Sequence, residues 1–230
     1  MSVLLRLHGL EVEYCEGVYW PAEDTFLLAD ALEAAASRAT QLSLVADVGS
    51  GTGLLALIAA KHGARVVATD IEPRAAACTW RNARRNGLDA LIDVLCCDLL
   101  SPLRAGLALD LVVCNPPYLP GEWRESPDVC GGPSGVEVAL ALLRQASNHL
   151  RGGGRIYLVL SSLSDVGKLT SEAEAAGLRL RVISRAQLPM FEEIAVVEIS
   201  QASGSGRPSL STGKSPTRSS SPLGTTHQLP

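Results

Sequence analysis

Aromatic side chains occupy only 4% of this 230-residue chain. It therefore lacks the rows of rings on which proteins commonly stack single-stranded nucleic acid, although one or two placed rings suffice for chemistry. Basic residues are also scarce, 20 Lys and Arg against 24 Asp and Glu, and a net charge of −4 supplies no field to draw in a phosphate backbone. A protein that coats nucleic acid is excluded on that ground. No uncharged apolar run reaches the roughly 18 residues that a bilayer span needs. The opening MSVLLRLHGL lacks the charged, long-apolar and small-residue pattern of a leader, so the expected compartment is the cytoplasm. The six cysteines (Cys15, Cys78, Cys96, Cys97, Cys114, Cys130) form no C-x-x-C pair, and the four histidines (His8, His62, His149, His227) form no i, i+4 pair. Reduced, mostly buried thiols, histidines at the surface or at helix ends, and no metal site are expected.

What is present is enough apolar sequence for one core, 47% of positions, in a length too short for two comfortable domains. Charge divides unevenly along it. Residues 201–230 carry eight Ser, four Thr, four Pro and four Gly, with Arg207, Lys214 and Arg218 and no acid. Such a segment buries too little surface to offset its ordering entropy and reads as a disordered tail of charge +3. Residues 1–200 then hold 17 basic and 24 acidic side chains, a net −7, and form the single folded domain.

Within that domain strands and helices alternate. Leu27, Leu28, Ala31, Leu32 and Ala35 recur at helical spacing over 24–36, giving a lead-in helix. The apolar run at 42–48 ends in a Gly-rich turn, and the helix after it stops at Gly63. RVVATD at 65–70, a helix over 73–86, IDVLCCD at 92–98 and LDLVVCN at 109–115 repeat the unit. A helix over 136–150, RIYLVLS at 155–161, a helix over 165–176 and two closing strands near LRLRVIS and EIAVVEIS complete it. Apolar strands alternating with helices predict an α/β, Rossmann-like, doubly wound sheet. Seven strands are expected, mostly parallel, and the short link between the last two predicts a terminal antiparallel hairpin.

In such sheets ligands bind outside the carboxyl ends of the strands, and four signals fall there. Asp47 to Gly53, DVGSGTG, is a glycine turn in which Gly49, Gly51 and Gly53 let backbone approach a ligand. It is neither G-x-G-x-x-G nor a P-loop, because Leu54 follows Gly53 and no Gly-Lys-Ser/Thr is present. Asp70, about twenty residues on, is placed to accept both hydroxyls of a ribose, whether of NAD or of S-adenosylmethionine. Asp98, ending the next strand, can accept from an adenine amine. Each aspartate alone reads equally as a strand end or a cap; with the turn they favour an adenosine ligand.

Asn115-Pro116-Pro117-Tyr118 ends the fourth of these strands. The prolines fix the backbone and remove donors, leaving the Asn115 side chain and the Pro116 carbonyl as acceptors beside the Tyr118 ring. Together they suit an NH2 on a planar group, either an amide or a base amine, held with its nitrogen toward an electrophilic methyl.

DVGSGTG, Asp70, Asp98 and NPPY together resemble the class I, Rossmann-like S-adenosylmethionine methyltransferases that act on amino groups. VYWPAEDTFLLADAL at 18–32, AAACT at 75–79, GGPSGVEVALALL at 131–143 and ISR at 183–185 are similar, more narrowly, to the small HemK-like enzymes of archaea and eukaryotes. Those methylate the glutamine amide in the GGQ motif of class-I translation release factors. The resemblance spans about residues 10 to 200. It implies S-adenosylmethionine as cofactor, with Thr25 at its methionine part, Asp47 and Gly49 near its amino group, Gly51 and Gly53 in the binding turn, Asp70 at the ribose and Asp98 at adenine. It implies Asn115 and Pro116 on the glutamine amide, Tyr118 beside it, and direct in-line transfer without a covalent enzyme intermediate. It also implies a small zinc-binding activator on an apolar sheet edge, for which IDVLCC is the candidate. The long helical recognition domain of the bacterial enzymes has no counterpart in the sequence, and the Ser/Pro-rich tail matches nothing in the family. Two other readings stand beside this one: a methyltransferase for an exocyclic adenine or guanine amine in RNA or DNA, for which Arg81, Arg84 and Arg85 offer a local basic patch, and a non-catalytic protein that keeps the bound ligand.

Overall fold

Strands buried on both faces need nearly continuous apolar sequence, and LVADV, RVVATD and LDLVVC meet that demand at the centre of the sheet. The computed structural model describes residues 3–37, 42–122, 128–189 and 192–201; the tail beyond Gln201 lies outside the described residues. In chain order the elements are β1 (Leu4–Leu7), β2 (Leu10–Glu13), α1 (Glu23–Ala36), β3 (Leu44–Val48), α2 (Leu54–Lys61), β4 (Arg65–Asp70) and α3 (Pro73–Arg85). They continue with β5 (Ile92–Cys96), β6 (Leu109–Cys114), α4 (Glu137–Ala146), β7 (Leu150–Ser161), α5 (Val166–Ala175), β8 (Leu178–Gln187) and β9 (Glu193–Gln201).

The main sheet has the seven strands expected, in the order β5-β4-β3-β6-β7-β9-β8. The first five of these are parallel, while β9 runs antiparallel to both β7 and β8. Chain order reverses between β3 and β6, which makes their carboxyl ends the switch point where such sheets bind ligands. Alternate residues of each strand feed two apolar layers. Leu28, Leu57, Ile58, Val66 and Val113 pack on the face covered by α1 and α2, whereas Val112, Leu142, Ile156, Leu158 and Leu169 pack on the face covered by α4 and α5.

Four features depart from expectation. β1 and β2 form a separate antiparallel hairpin turned by His8 and Gly9, both at positive φ, a two-residue loop of the kind more often signalled by Asn-Gly. β7 begins five residues early, through Gly152–Gly154, because a side chain at Gly154 would meet the Leu109 carbonyl; the glycine admits close backbone approach at a register shift. The thiols are not all reduced: Cys15 and Cys78 form a disulfide with Cα atoms 6.1 Å apart, joining the segment after β2 to α3. Of the free cysteines only Cys114 is buried, and Cys96 is exposed on β5, which is the sheet edge. His149 lies neither at the surface nor in α4 but buried in the turn between α4 and β7.

The hairpin docks on α3 through amide side chains that imitate a neighbouring strand. Asn82, with none of its surface exposed, accepts from the Glu13 N–H at 2.8 Å and donates to the carbonyls of Glu13 (3.2 Å) and Thr52 (2.9 Å). Asn86 repeats the pattern one turn later on Glu11. One residue thus ties the hairpin and the glycine turn to the same helix. Asn82→Ala strands several buried backbone groups at once, and a stability loss of about 2 to 3 kcal/mol is expected from the urea midpoint.

Candidate active site

The carboxyl ends of β3, β4 and β6 open into a cavity of about 420 Å³, closed on its far side by residues 17–25. That volume is in the range of small-ligand sites. Of the residues singled out in the sequence, Thr25, Gly49, Gly51, Asp70, Asp98, Asn115, Pro116 and Tyr118 line it. Asp47 and Gly53 lie behind the lining. Asp47 is fully buried and accepts the Ala56 N–H at 2.9 Å, so it clamps the glycine turn to the start of α2, and its Oδ1 has no partner. Gly53 caps α2 at φ 84°, and a Cβ there would press on Thr79.

The glycine turn takes its shape from its neighbours. The N–H groups of Gly49 and Ser50 both donate to the Thr69 carbonyl, and the Gly51 N–H donates to Asp70 Oδ2 at 2.9 Å. Thr79 on α3 donates to the Gly51 carbonyl at 3.0 Å, while its oxygen lies 2.9 Å from the Ser50 hydroxyl. Asp70 Oδ1 accepts the Glu72 N–H at 2.9 Å. With one N–H bond on each oxygen, the carboxylate keeps lone pairs for a diol.

The NPPY turn is buttressed from behind. Ser164 Oγ donates to the Tyr118 carbonyl at 2.7 Å. Gly135, at φ 73°, lies so close that a Cβ would fall 2.3 Å from the same carbonyl. This is why GGPSG follows: only glycine lets that loop lie flat on the turn. In front, Asn115 Nδ2 donates to Thr25 Oγ1 at 3.1 Å, and Asn115 Oδ1 is buried with no partner. Two wall residues were missed in the sequence. Asp24, only 4% exposed, accepts on Oδ2 from the hydroxyls of Tyr19 (3.0 Å) and Tyr118 (3.1 Å). The signal for both was the same VYWPAEDT segment, in which Thr25 alone was singled out.

Comparison with known proteins agrees with this geometry. Residues 22–173 match the model of the methyltransferase small domain family. The chain belongs to that family. It is similar to human Methyltransferase HEMK2, 43% identical over 173 residues that cover 70% of this chain and 80% of that protein. It is similar also to the release factor glutamine methyltransferase of Moorella thermoacetica, 36% identical over 182 residues, or 74% of this chain; the match spans 63% of that protein's length. Among solved structures, the E. cuniculi Mtq2-Trm112 complex, described as methylating the termination factor eRF1, matches with a TM-score of 0.61 at 25% identity, over 80% of this chain and 99% of that one.

Three buried carboxylates, Asp24, Asp47 and Asp70, surround the methyltransferase cavity, and none forms an ion pair among the described residues. Burial is the chief cause that lifts Asp70 above the usual carboxylate range, opposed by the N–H groups of Glu72 and Gly51. Burial likewise pushes Asp47 up to about 7, against the Ala56 N–H and with help from Asp70. The phenols of Tyr118 and Tyr19 are raised by burial and then by Asp24. For Asp47 the folded protein holds a proton that the unfolded chain releases near 3.8, so its contribution is complete below that pH and is lost as pH rises to about 7. Asp47→Asn keeps an acceptor for Ala56 without the charge. Its stability relative to the parent protein should therefore increase from about pH 4 to about pH 7 and level off above, as read from urea midpoints without ligand.

Proposed function

We propose that this methyltransferase transfers the methyl group of S-adenosylmethionine to the side-chain amide of the glutamine in the GGQ motif of a class-I translation release factor. One observation carries the reading: Asn115 Oδ1, buried and unpartnered beside the Pro-Pro turn. A buried acceptor without a donor costs about 1 to 3 kcal/mol, a cost explained by a ligand that arrives with an N–H.

The residues present fit the cofactor. The cavity has room for it, the glycine turn brings backbone to its wall, Asp70 keeps lone pairs for the ribose, and a chamber of carboxylates without cations suits a ligand bearing an ammonium and a sulfonium. Thr25 would lie at the methionine part, Asp47 and Gly49 near its amino group, and Asp98 at adenine. When bound, S-adenosylmethionine supplies an electrophilic methyl.

Asn115 Oδ1 and the Pro116 carbonyl would take the two hydrogens of the glutamine amide, and the Tyr118 ring would cover its plane. Held this way, the nitrogen keeps one direction of approach, a contribution of orientation that needs no prior proton removal. An amide nitrogen is a weak nucleophile. Both acceptors would therefore bind more strongly as positive charge develops on it, and the transition state gains more than the ground state. A protein substrate accords with the acidic domain, and Arg85 of the basic trio on α3 is already paired with Glu13.

The Moorella thermoacetica relative acts on a release factor by name, and the E. cuniculi structure is of a two-protein complex. Strand β5 is an unpaired sheet edge among the described residues, with Trp80 beside it 43% exposed and Cys96 on it exposed. A small activator, zinc-binding in the family, would add there by strand pairing and cover these side chains.

Labelled S-adenosylmethionine, offered with a release factor, its GGQ-to-GGA variant and total RNA, tests the reading. Label is expected on the intact release factor alone. Label on RNA and none on the release factor would reverse it in favour of a base amine. In the same assay Asn115→Ala should keep cofactor affinity by calorimetry and lose transfer by about 100-fold or more, while Asp70→Ala should weaken cofactor binding first.

A further inference from the structure

Asp24 is a carboxylate where a structural side chain would be easier to build with an amide or hydroxyl. It is 4% exposed, lines the cavity, and forms no ion pair among the described residues, so its charge is met only by neutral donors. Those donors are arranged in two arms. On Oδ2 it receives the hydroxyls of Tyr19 and Tyr118. On Oδ1 it receives the Thr25 backbone N–H and, at 3.2 Å, the Thr25 hydroxyl.

The second arm has a directional consequence. A threonine hydroxyl has one hydrogen, and a carboxylate can only accept, so Asp24 commits that hydrogen to itself. Thr25 Oγ1 can then only accept from Asn115, which it does at 3.1 Å from Nδ2. The Asn115 amide is thereby turned with its NH2 toward Thr25, which leaves its buried oxygen on the other side without a partner among the described residues. Were the Thr25 hydrogen free, it could donate to Asn115 Oδ1 and turn the amide over. The NH2 of Asn115 would then face the NH2 of the substrate, donor against donor.

We infer that Asp24 is a positioning residue that fixes the sense of the Thr25–Asn115 hydrogen-bond relay, so that Asn115 presents an acceptor to the substrate, while its other oxygen holds the Tyr118 ring beside it. This rests on the proposed function for its catalytic meaning, but the relay itself can be read without substrate. A buried carboxylate uncompensated by cation is what the task requires, because a neutral amide at the same place would offer a donor on one of its two sides and break one arm.

The test uses the full chain and compares the parent protein with Asp24→Asn and Thr25→Val. Side-chain amide resonances of Asn115, assigned by their loss in Asn115→Ala, report the relay in the substrate-free protein. A donated bond to Thr25 protects them from exchange with water, and both variants should lose that protection. In transfer assays Asp24→Asn should lower kcat about 100-fold with cofactor affinity within about threefold of the parent. Thr25→Val removes the hydroxyl that links Asp24 to Asn115 and leaves the tyrosine arm intact, so it carries the test if Asp24→Asn does not fold. Its kcat should fall too, and the double variant should lose less than the product of the two single losses. Unchanged Asn115 protection in both variants, or kcat within threefold of the parent in both, would overturn the inference. If cofactor affinity fell in parallel with kcat, Asp24 would be a wall of the cofactor site and the relay would be rejected. A parent protein that shows the protected Asn115 amide yet leaves the release factor unmethylated would refute the proposed substrate while upholding the relay.

Discussion

Val48 pairs with Thr69 on one side and with Cys114 on the other, and this last row of the parallel sheet fixes everything above it. Parallel strands run in one direction, so three consecutive chain exits leave from the same edge at the same height. The glycine turn leaves after Val48, Asp70 directly follows Thr69, and Asn115 directly follows Cys114. Bring β6 out of register by one residue and Asn115 points to the opposite face. The Thr69 carbonyl makes the dependence explicit, since it takes the N–H groups of both Gly49 and Ser50 and so ties the turn of one strand to the end of the next.

The sheet supplies three walls of the cavity, and the fourth comes from a segment with no place in it. Residues 14–25 pass from the hairpin to α1, and they are held at three points: Asn82 grips Glu13, the Cys15–Cys78 disulfide joins the segment to α3, and Asp24 receives Tyr118 from the opposite wall. Two of those anchors are on α3, whose Thr79 and Asn82 also hold the glycine turn. Displacing α3 would therefore disturb both sides of the cavity together, although α3 contributes little to the lining itself. Ala75 is its sole residue there among the described ones.

Period and punctuation made the sheet legible. RVVATD matched β4 residue for residue, and a seven-stranded, mostly parallel sheet with its final antiparallel pair follows from apolar strands, intervening helices and a short last link. The strand-end residues were legible for the same reason, because a motif that ends a buried strand must emerge at the ligand edge. What escaped depended on contacts distant in sequence. The four-residue strands of the hairpin are too short to display a period, and their partner is a pair of asparagines some seventy positions away. The disulfide joins residues 63 apart and follows no local spacing. Asp24 escaped for a different reason: as the second acidic residue at the start of a helix it reads as an ordinary dipole partner, and only the arrival of Tyr118 from 94 residues away gives it another role.

The site departs from the usual economy of a buried interior in one consistent direction. Interiors pair their polar atoms, yet among the described residues Asn115 Oδ1 and Asp47 Oδ1 are both left without donors, and three carboxylates gather without a cation. Apart from the Thr69 hydroxyl, which can also donate, these departures are a surplus of acceptors. A cationic ligand with an ammonium removes that surplus on the cofactor side, and an NH2 group removes it on the substrate side. Neither could be replaced by a ligand rich in acceptors, such as a phosphate, without adding to the repulsion already stored there. The sign of the imbalance thus selects the ligands before any detailed fit is considered.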